Sequence, residues 1–241
     1  MAYDIFIRSY YKDLEWLGYC LASIDRFCSG FRSVIVVVPQ ASWSRLRELG
    51  HVASNVRFDV CDNYRDDYLG QQVTKLHADL YTDADLICHV DSDCIFARPF
   101  SPADLLHESR CRILMRPIES LGHLRPWQRP TETFLGWKIL YDFMQHPPFT
   151  FPRRIYAEIR NHVLRVHSID LPRYITSQPP RGFSEFNVLG AYAYERHRDW
   201  FTWVDVTADI SREYAARCQW YWSWGGLTPK IRQEIEIVLA K

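Results

Sequence analysis

The chain has 241 residues, 47% of them hydrophobic and 15% aromatic, and its formal net charge at pH 7 is zero. That length fits one large α/β domain, or a smaller domain with an elaborated half, and the apolar content is ample for a packed core. Zero net charge argues against binding a polyelectrolyte over the whole surface, and every apolar run is far shorter than the ~20 residues that a membrane-spanning helix needs.

The use of cysteine predicts a cytoplasmic protein. The seven cysteines form no CxxC pair, and the odd number, with apolar neighbours around Cys20, Cys88 and Cys94, favours reduced and buried thiols. No signal peptide is expected, because residues 3–7 already have the pattern of a strand. Peripheral contact with a membrane surface stays open, and so does the oligomeric state.

The first ninety residues alternate between strand and helix patterns, in the order typical of a doubly wound parallel sheet. Apolar or alternating runs predict strands, and aliphatic residues at three- and four-residue spacing predict helices. The predicted strands are 3–7, 34–38, 56–60 and 86–90. The predicted helices begin at Leu14, at the cap Ser42 and at Gly70, and the last of them extends to residue 81.

After residue 100 the patterns are mixed. Ser-Pro at 101–102 and Thr-Pro at 228–229 each predict the start of a helix, and Ser184 predicts the cap of another. The remaining expectations are a strand at 111–115, a loop at 117–130, an amphipathic helix at 131–145, helices at 151–166 and 182–197, and a strand at 201–206.

The most informative stretch is the apolar strand at 86–90, which is followed by two carboxylates, Asp91 and Asp93. Placing both there is costly unless a cation balances them, and hard divalent cations prefer carboxylate oxygens. An Asp-x-Asp triplet also arises by chance in solvated loops. The loops at 8–13, 62–68 and 91–93, however, all follow strands of one parallel sheet, so they are expected to open on the edge where such sheets bind ligands.

Charge is unevenly distributed along the chain. Residues 59–108 contain eleven acidic and three basic residues, whereas residues 110–181 contain twelve basic and five acidic residues. Such asymmetry often reflects only solvated surface, but a basic half that faces a cation-binding half suits an anionic acceptor.

The order of these elements resembles the GT-A glycosyltransferases. The resemblance rests on the helix with Thr-Lys-Leu-His at 74–77 and on the strand that ends in Asp-Ser-Asp at 91–93. The segments at 3–10 and 184–192 are most similar to the uncharacterised bacterial DUF6492-type family. The whole resemblance covers roughly residues 3–195.

The fold that this resemblance implies is a GT-A-like, Rossmann-type mixed sheet flanked by helices, within an α/β protein of a single domain. Its first half, residues 1–100, would bind the nucleotide sugar. Its elaborated second half, residues 101–241, would bind the acceptor.

The family resemblance further implies a nucleotide-sugar donor, with a UDP-sugar as the leading choice, held by Mn²⁺ or Mg²⁺. Asp91 and Asp93 match the metal motif; the second aspartate is the usual direct ligand, and the first lies nearer the ribose or a metal-bound water. A third ligand, often a His or Asp, usually comes from the C-terminal part. His197, Asp205 and Asp209 are the open alternatives.

Lys75 is a candidate donor-binding residue because its helix leads into the motif strand. Its ammonium would reach a phosphate or a sugar hydroxyl, and the plain alternative is a solvated helix lysine. Tyr68 and Asp62, in the loop after the third strand, are weaker candidates for the same site.

The loop after the first strand contributes Arg8, Tyr10 and Asp13, at the place where similar enzymes hold the nucleobase and ribose. Tyr10 is a candidate for stacking on the base. Asp13 either accepts a ribose hydroxyl or merely caps the helix from Leu14.

Glu185 is the candidate catalytic base, in the first turn of the helix capped by Ser184. An inverting transfer needs a carboxylate that deprotonates the acceptor hydroxyl; in a retaining transfer Glu185 would only hold the acceptor. Stabilisation of the helix dipole is the plain alternative, and the stereochemistry stays open.

Aromatic and histidine residues supply further hypotheses. The stretch at 219–226 contains three tryptophans, which are candidates for stacking on sugar rings or closing over the donor, although core packing is expected for at least two of them. His77, His89 and His123 form no HxH or HxxxH pair, and His89 is expected to pack at the end of its strand.

The leading prediction is an enzyme, a metal-dependent glycosyltransferase, that acts on a glycan, a glycolipid or lipid-linked intermediate, or another hydroxyl acceptor such as a modified nucleic acid. The alternatives are a non-catalytic nucleotide-sugar- or carbohydrate-binding module and a nucleotidyltransferase. Nucleotidyltransferases usually have a glycine-rich phosphate loop after the first strand. This chain has Arg-Ser-Tyr-Tyr-Lys at 8–12, which argues against that class.

Overall fold

The fold is built around a central sheet, and the four parallel strands of this sheet come from the first ninety residues. The computed structural model describes residues 1–50, 52–207 and 216–240. In chain order the strands are β1 (Tyr3–Arg8), β2 (Ser33–Pro39), β3 (Val56–Cys61), β4 (Leu86–His89), β5 (Cys94–Phe96), β6 (Leu106–His107), β7 (Arg110–Pro117), β8 (Tyr141–Asp142), β9 (Phe149–Pro152), β10 (Phe201–Asp205) and β11 (Cys218–Trp220). The α-helices are α1 (Leu14–Phe27), α2 (Asp67–Lys75), α3 (Gln128–Leu135), α4 (Arg154–His167), α5 (Leu171–Thr176), α6 (Glu185–Arg196) and α7 (Pro229–Ala240). No helix in that part of the chain has both the length and the apolar character to cross a membrane.

The central sheet has the strand order β3-β2-β1-β4-β9. β1 pairs in parallel with β2 and β4, and β2 pairs in parallel with β3, whereas β9 runs antiparallel to β4 at the edge. β2 is apolar from Val34 to Val38 and all of those side chains are buried, as expected of a strand that is covered on both faces. The α/β class predicted from the sequence is confirmed, and β9 makes the sheet mixed.

β1 lies at the switch point of this sheet. The chain moves outward from β1 to β2 and β3, and then returns to place β4 on the other side of β1. In open α/β sheets, ligands bind in the crevice beyond the carboxyl ends of the two strands at such a reversal. Arg8 ends β1, and Asp91 and Asp93 follow β4, so the fold brings these residues to one crevice.

Different helices cover the two faces of the sheet. Ile5 and Ile7 of β1 pack in a core with α1 and α7, whereas Phe6 between them packs in a core with α2, α4 and α6. The end of α2 and the beginning of α6 therefore lie on the same side of the sheet, where each contributes a charged residue.

A second, smaller sheet is built around β7. This strand pairs antiparallel with β6 and β8, and in parallel with β10. β5, which begins directly after Asp93, pairs instead with β11. That pairing brings the tryptophan-rich C-terminal stretch beside the acidic motif.

Two helices of the second half are shorter than the sequence predicts. α3 ends at Leu135 because Gly136 takes a left-handed conformation with φ of +81°, a common way for helices to end. The helix predicted at 131–145 is therefore wrong beyond that point, where β8 follows. The helix predicted at 151–166 begins only at Arg154, because the preceding residues satisfy their backbone groups by pairing with the free edge of β4.

Caps account for the starts of α2 and α6. α2 begins three residues before the predicted Gly70 because the side chain of Asp66 accepts a hydrogen bond from the backbone N–H of Leu69, and it ends at Lys75, before the predicted residue 81. Ser184 caps α6 as predicted, by accepting from the N–H of Asn187. The predicted strand at 201–206 and the final helix are confirmed as β10 and α7.

Gly190 lets α6 approach Phe143 closely. A Cβ at position 190 would overlap the first side-chain atoms of Phe143, and the crowding is expected to make Gly190→Ala destabilising by about 1–3 kcal/mol. Gly18→Ala in α1 is the matched control, because a Cβ there would lie 4.0 Å from its nearest neighbour. The control is expected to be neutral or to stabilise by up to about 1 kcal/mol. Urea unfolding measures both, and equal stabilities would contradict the close approach.

Candidate functional site

One cavity lies at the switch point, beyond the carboxyl ends of β1 and β4. Its volume is about 520 Å³, a size typical of small-molecule sites. The loops after β1 and β4, the start of α2 and the segment after β11 form its walls. Six of the residues that the sequence predicts for the site line it together: Arg8, Tyr10, Asp13, Tyr68, Asp91 and Asp93.

Lys75, at the end of α2, lies buried between two carboxylates. Its Nζ donates to Oδ1 of Asp91 at 2.6 Å and to Oε1 of Glu185 at 2.8 Å, and its side chain is only 1% exposed. Nζ also lies 4.8 Å from the ring centroid of Phe186, a cation–π contact. Burial acts to lower the pKa of Lys75, but Asp91 and Glu185 raise it above its usual value. The ammonium therefore stays charged.

Glu185 stands behind Lys75 and does not line the cavity. It is 2% exposed, and its backbone N–H donates to Oε1 of Gln72 at 2.9 Å. Burial raises the pKa of the Glu185 carboxyl, against the opposing effect of Lys75. The fold thus brings Glu185 to the site in the position of a paired carboxylate, and its role as a catalytic base stays a prediction.

Asp93 is buried and has one unsatisfied oxygen. It is 6% exposed; its Oδ2 accepts from the N–H of Ser223 at 2.5 Å, and its carbonyl oxygen accepts from the N–H of Tyr221 at 3.1 Å. Oδ1 is buried with no hydrogen-bond partner among the described residues. Buried polar groups are nearly always hydrogen-bonded, and buried charges are paired or coordinate metals. Oδ1 is therefore suited to a cation.

Asp13 and Asp93 share Ser223 as a neighbour, because the Oγ of Ser223 also donates to Oδ2 of Asp13, at 3.5 Å. Burial, with the charge of neighbouring carboxylates, raises the pKa of Asp13 and of Asp93 from 3.8 to about 6. Both groups ionise at lower pH in the unfolded chain, so the folded state loses stability as the pH rises from about 4 to 6. A bound divalent cation would offset that loss.

Arg8 and Asp67 form a neutral ion pair in the cavity wall. The two terminal nitrogens of Arg8 donate to the two carboxylate oxygens of Asp67, at 2.8 and 2.5 Å. Burial acts to lower the pKa of Arg8, and Asp67 raises it above its usual value. A bidentate pair holds the guanidinium rigidly. Arg8 therefore has a fixed position in the cavity wall, and its positive charge is already balanced by Asp67.

Aromatic side chains form another part of the cavity wall. Trp220 and Trp222 stack with ring centroids 4.0 Å apart, and the hydroxyl of Tyr68 donates to the carbonyl of Phe183 at 2.8 Å. Trp222 and Trp224 are largely exposed, so the expectation that at least two of these tryptophans pack in the core is wrong. The reason is that β11 pairs with β5 at the rim of the cavity, which turns the segment after it toward solvent.

Two of the other candidate ligands, His197 and Asp205, do not line the cavity. Nε2 of His197 lies 2.5 Å from Oε2 of Glu158, and Asp205 accepts hydrogen bonds from the residue two positions further along. Asp209 lies outside the described residues. His89 is buried with Nε2 against a tyrosine hydroxyl, which confirms its predicted packing role.

Asp91 and Asp93 are the two cavity carboxylates that are suited to bind a metal directly. In residues 1–50, 52–207 and 216–240, no group of three or more His, Cys, Asp or Glu is arranged to hold a metal ion. Mg²⁺ and Mn²⁺ commonly take one or two carboxylates, with waters and substrate phosphates as the other ligands. Asp91 and Asp93, with the unpartnered Oδ1 of Asp93, fit a cation of that kind.

Three residues that complete the site were not predicted from the sequence. Asp67 pairs with Arg8, Gln72 receives the N–H of Glu185, and Ser223 donates to Asp93. Asp67 had a local signal, since acidic residues favour the first turn of a helix. Gln72 and Ser223 are 113 and 130 positions from their partners, and no local pattern indicates contacts over such separations.

Loss of Lys75 is expected to destabilise the protein more than loss of the charge of Glu185. Lys75→Met leaves the buried Glu185 and the partly buried Asp91 without their cation, which costs about 3–5 kcal/mol, whereas Glu185→Gln leaves the ammonium paired with Asp91. The double variant is expected to be more stable than Lys75→Met alone, because it removes one of the unpaired charges. Guanidinium unfolding measures all three variants, and equal losses in the two single variants would rule out this asymmetry.

A scan against protein-family models finds no match to this chain, and a search of curated proteins finds none either.

Proposed function

We propose that this protein is a metal-dependent glycosyltransferase, which moves a sugar from a nucleoside-diphosphate donor, preferably a UDP-sugar, to a hydroxyl acceptor. The observation that carries the proposal is the convergence of Arg8, Asp91 and Asp93 on one cavity at the switch point of the sheet. Sheets with this strand order bind nucleotides in that crevice, and the carboxylates in it call for a cation. Of the motifs that resemble GT-A enzymes, Asp-Ser-Asp at 91–93 lines this cavity, and Lys75 of the other motif donates to Asp91.

The donor would be shared between two neighbouring loops. The loop after β1 offers Tyr10 beside the rigid Arg8–Asp67 pair, which suits the nucleobase and ribose. The turn after β4 offers Asp91 and Asp93, which suit the diphosphate through a cation. Neighbouring strands lie about 4.8 Å apart, so one nucleotide can span both loops.

Asp91 and Asp93 are the residues that would hold Mn²⁺ or Mg²⁺. The hydrogen bond from Lys75 uses Oδ1 of Asp91, and Oδ1 of Asp93 has no partner among the described residues. When bound, the cation stabilises the negative charge that develops on the departing nucleoside diphosphate.

Lys75 acts in this proposal as a positioning residue. Its ammonium already donates to Asp91 and Glu185, so a direct bond to a donor phosphate would require one of these buried pairs to break. By pairing with Asp91, Lys75 holds that carboxylate in one orientation. The earlier expectation that Lys75 reaches the phosphate is replaced by this indirect role.

The acceptor would bind on the aromatic and basic side of the cavity. The stacked pair Trp220 and Trp222 presents a large apolar surface on which a sugar ring can lie. Lys12 and Arg181 also line the cavity and are exposed to solvent, and they would attract negative charge. These features favour a glycan or glycolipid acceptor that carries an anionic group.

The proposal places the reaction in the cytoplasm. The seven cysteines are free thiols, and all except Cys28 are buried. Burial raises the pKa of Cys88 to about 12, which disfavours the reactive thiolate. Thiols kept in this form support a protein that works in a reducing compartment.

The burial of Glu185 favours a second candidate, a non-catalytic module that binds a nucleotide sugar or carbohydrate. A general base must come within hydrogen-bond reach of the proton it takes, and Glu185 is held behind Lys75. The two candidates differ in turnover, because only a glycosyltransferase releases the nucleoside diphosphate.

A thermal-shift screen of nucleotide sugars, with and without Mn²⁺, tests donor binding. A ligand that binds only the folded state stabilises it by about 2.7 kcal/mol at a hundred times its Kd. A UDP-sugar is expected to raise the Tm only when Mn²⁺ is present. Asp93→Ala is expected to abolish the rise, and Asp205→Ala, away from the cavity, to keep it. A rise that needs neither Mn²⁺ nor Asp93 would refute the role given to the cation.

Glu185→Gln separates the two candidate functions once a donor is known. If Glu185 is the base, the variant is expected to release nucleoside diphosphate about 10²–10⁴-fold more slowly, with the thermal shift by the donor retained. Glu195→Gln, at the exposed end of the same helix, is the matched control and should keep full turnover. Absence of turnover in the unmodified protein, with a donor that clearly binds, would instead support the binding module.

A further inference from the structure

We propose that Asp13 is the third carboxylate of the cation site, and that it holds a hydrated divalent cation together with Asp91 and Asp93. The inference rests on the proposed function in one respect, because it takes Asp91 and Asp93 as the direct ligands. The family resemblance pointed to the C-terminal part for a third ligand, whereas this residue lies in the loop after the first strand.

The carboxylate of Asp13 does not cap the helix that follows it, although its position suggests that role. Asp13 stands at the N-cap of α1, yet its side chain makes no capping hydrogen bond. In the described part of the chain its carboxylate accepts a hydrogen bond from the Oγ of Ser223, at 3.5 Å, which is at the long limit for a hydrogen bond. A half-buried carboxylate without a cap or a close partner has capacity for another ligand.

Ser223 connects Asp13 to the cation site. Its backbone N–H donates to Oδ2 of Asp93 at 2.5 Å, and its hydroxyl donates to Asp13. One residue therefore contacts both carboxylates, and both line the same cavity. The remaining oxygen of Asp93, Oδ1, is buried without a partner among the described residues, and this unsatisfied atom is the independent sign that a ligand belongs there.

Among the residues that line this cavity, four aspartates face three cationic side chains, Arg8, Lys12 and Arg181, so a negative charge remains for a cation. The ammonium of Lys75 forms salt bridges with Asp91 and Glu185, and the guanidinium of Arg8 forms one with Asp67 of α2. In the described residues, no salt bridge reaches Asp13 or Asp93. Buried charges are normally paired or coordinate metals, so a divalent cation is the chemistry that the two free carboxylates would take.

The described carboxylates do not form a ready three-ligand set, which decides how Asp13 takes part. Mg²⁺ and Mn²⁺ retain several waters in protein sites. Asp13 then accepts hydrogen bonds from a water of the cation rather than contacting the cation itself. Groups in that outer position typically contribute 10–100-fold to metal affinity.

The competing role for Asp13 is to accept a hydroxyl of the ribose. The two roles separate when no nucleotide is present, since an acceptor for ribose has no effect on the cation alone. Asp13→Asn removes the charge while keeping the size of the side chain, and Asp205→Asn is the matched control, because Asp205 was a candidate third ligand and does not line the cavity.

The experiment is a titration of the nucleotide-free full chain with Mn²⁺, followed by the loss of the electron paramagnetic resonance signal of free Mn²⁺. Asp13→Asn is expected to raise the Kd for Mn²⁺ by about 10-fold or more, Asp205→Asn to change it by less than about 2-fold, and Asp93→Asn to abolish saturable binding. A thermal melt of each variant verifies that it is folded.

Other outcomes show whether the role given to Asp13 or the proposed function is wrong. If Asp13→Asn binds Mn²⁺ as tightly as the unmodified protein while Asp93→Asn does not bind it, the role of Asp13 is overturned and the proposed function stands. If Asp13→Asn weakens only the binding of UDP, the ribose role is correct and the present inference is overturned. If the unmodified protein binds no Mn²⁺ without nucleotide, the present inference is overturned, and the thermal-shift screen with a UDP-sugar and Mn²⁺ decides separately whether the metal-dependent function stands.

Discussion

A lysine ammonium buried between two carboxylates holds the candidate site together. Lys75 ends α2, Asp91 follows β4 and Glu185 begins α6, and the lysine is 16 and 110 positions from its two partners. A buried ammonium is stable only when its partners are in place, so these three elements must meet at the carboxyl edge of the sheet. The same contact sets the orientation of Asp91, the first residue of the acidic turn. Much of the cavity geometry depends on this one requirement.

Next to Lys75 and its two partners lie carboxylates that have no partner of opposite charge among the described residues. Arg8 and Asp67 neutralise each other, but Asp13 and Asp93 have no cationic partner in the described residues, and both carboxylates ionise less readily than usual because of burial and mutual repulsion. Proteins tolerate such local costs mainly at functional sites. The contrast between a satisfied triad and an unsatisfied acidic pair supports the proposed cation site more strongly than the Asp-x-Asp motif alone does.

The aromatic side of the cavity depends on a pairing between distant parts of the chain. β11 pairs with β5, the strand directly after Asp93, and the two hydrogen bonds that Asp93 accepts from the following segment extend that connection. The tryptophans are thereby tied to the acidic turn itself. A donor bound through Asp93 and a sugar lying on Trp222 would consequently be held by one continuous piece of structure.

The sequence by itself determined the local parts of this protein. The apolar run of β2 predicted a buried parallel strand, Ser184 predicted the start of α6, and the position of Asp91 and Asp93 after a strand predicted the edge at which they lie. Only the tertiary structure decided that residues 151–152 pair with β4 rather than begin a helix, that Lys75 faces two carboxylates rather than solvent, and that Ser223 reaches Asp93. The physical reason is how far apart in the sequence the interacting residues lie. Periodicity and capping act over a few residues and leave a pattern in the sequence, whereas the partner of a strand edge or a buried charge depends on which surfaces the whole fold brings together.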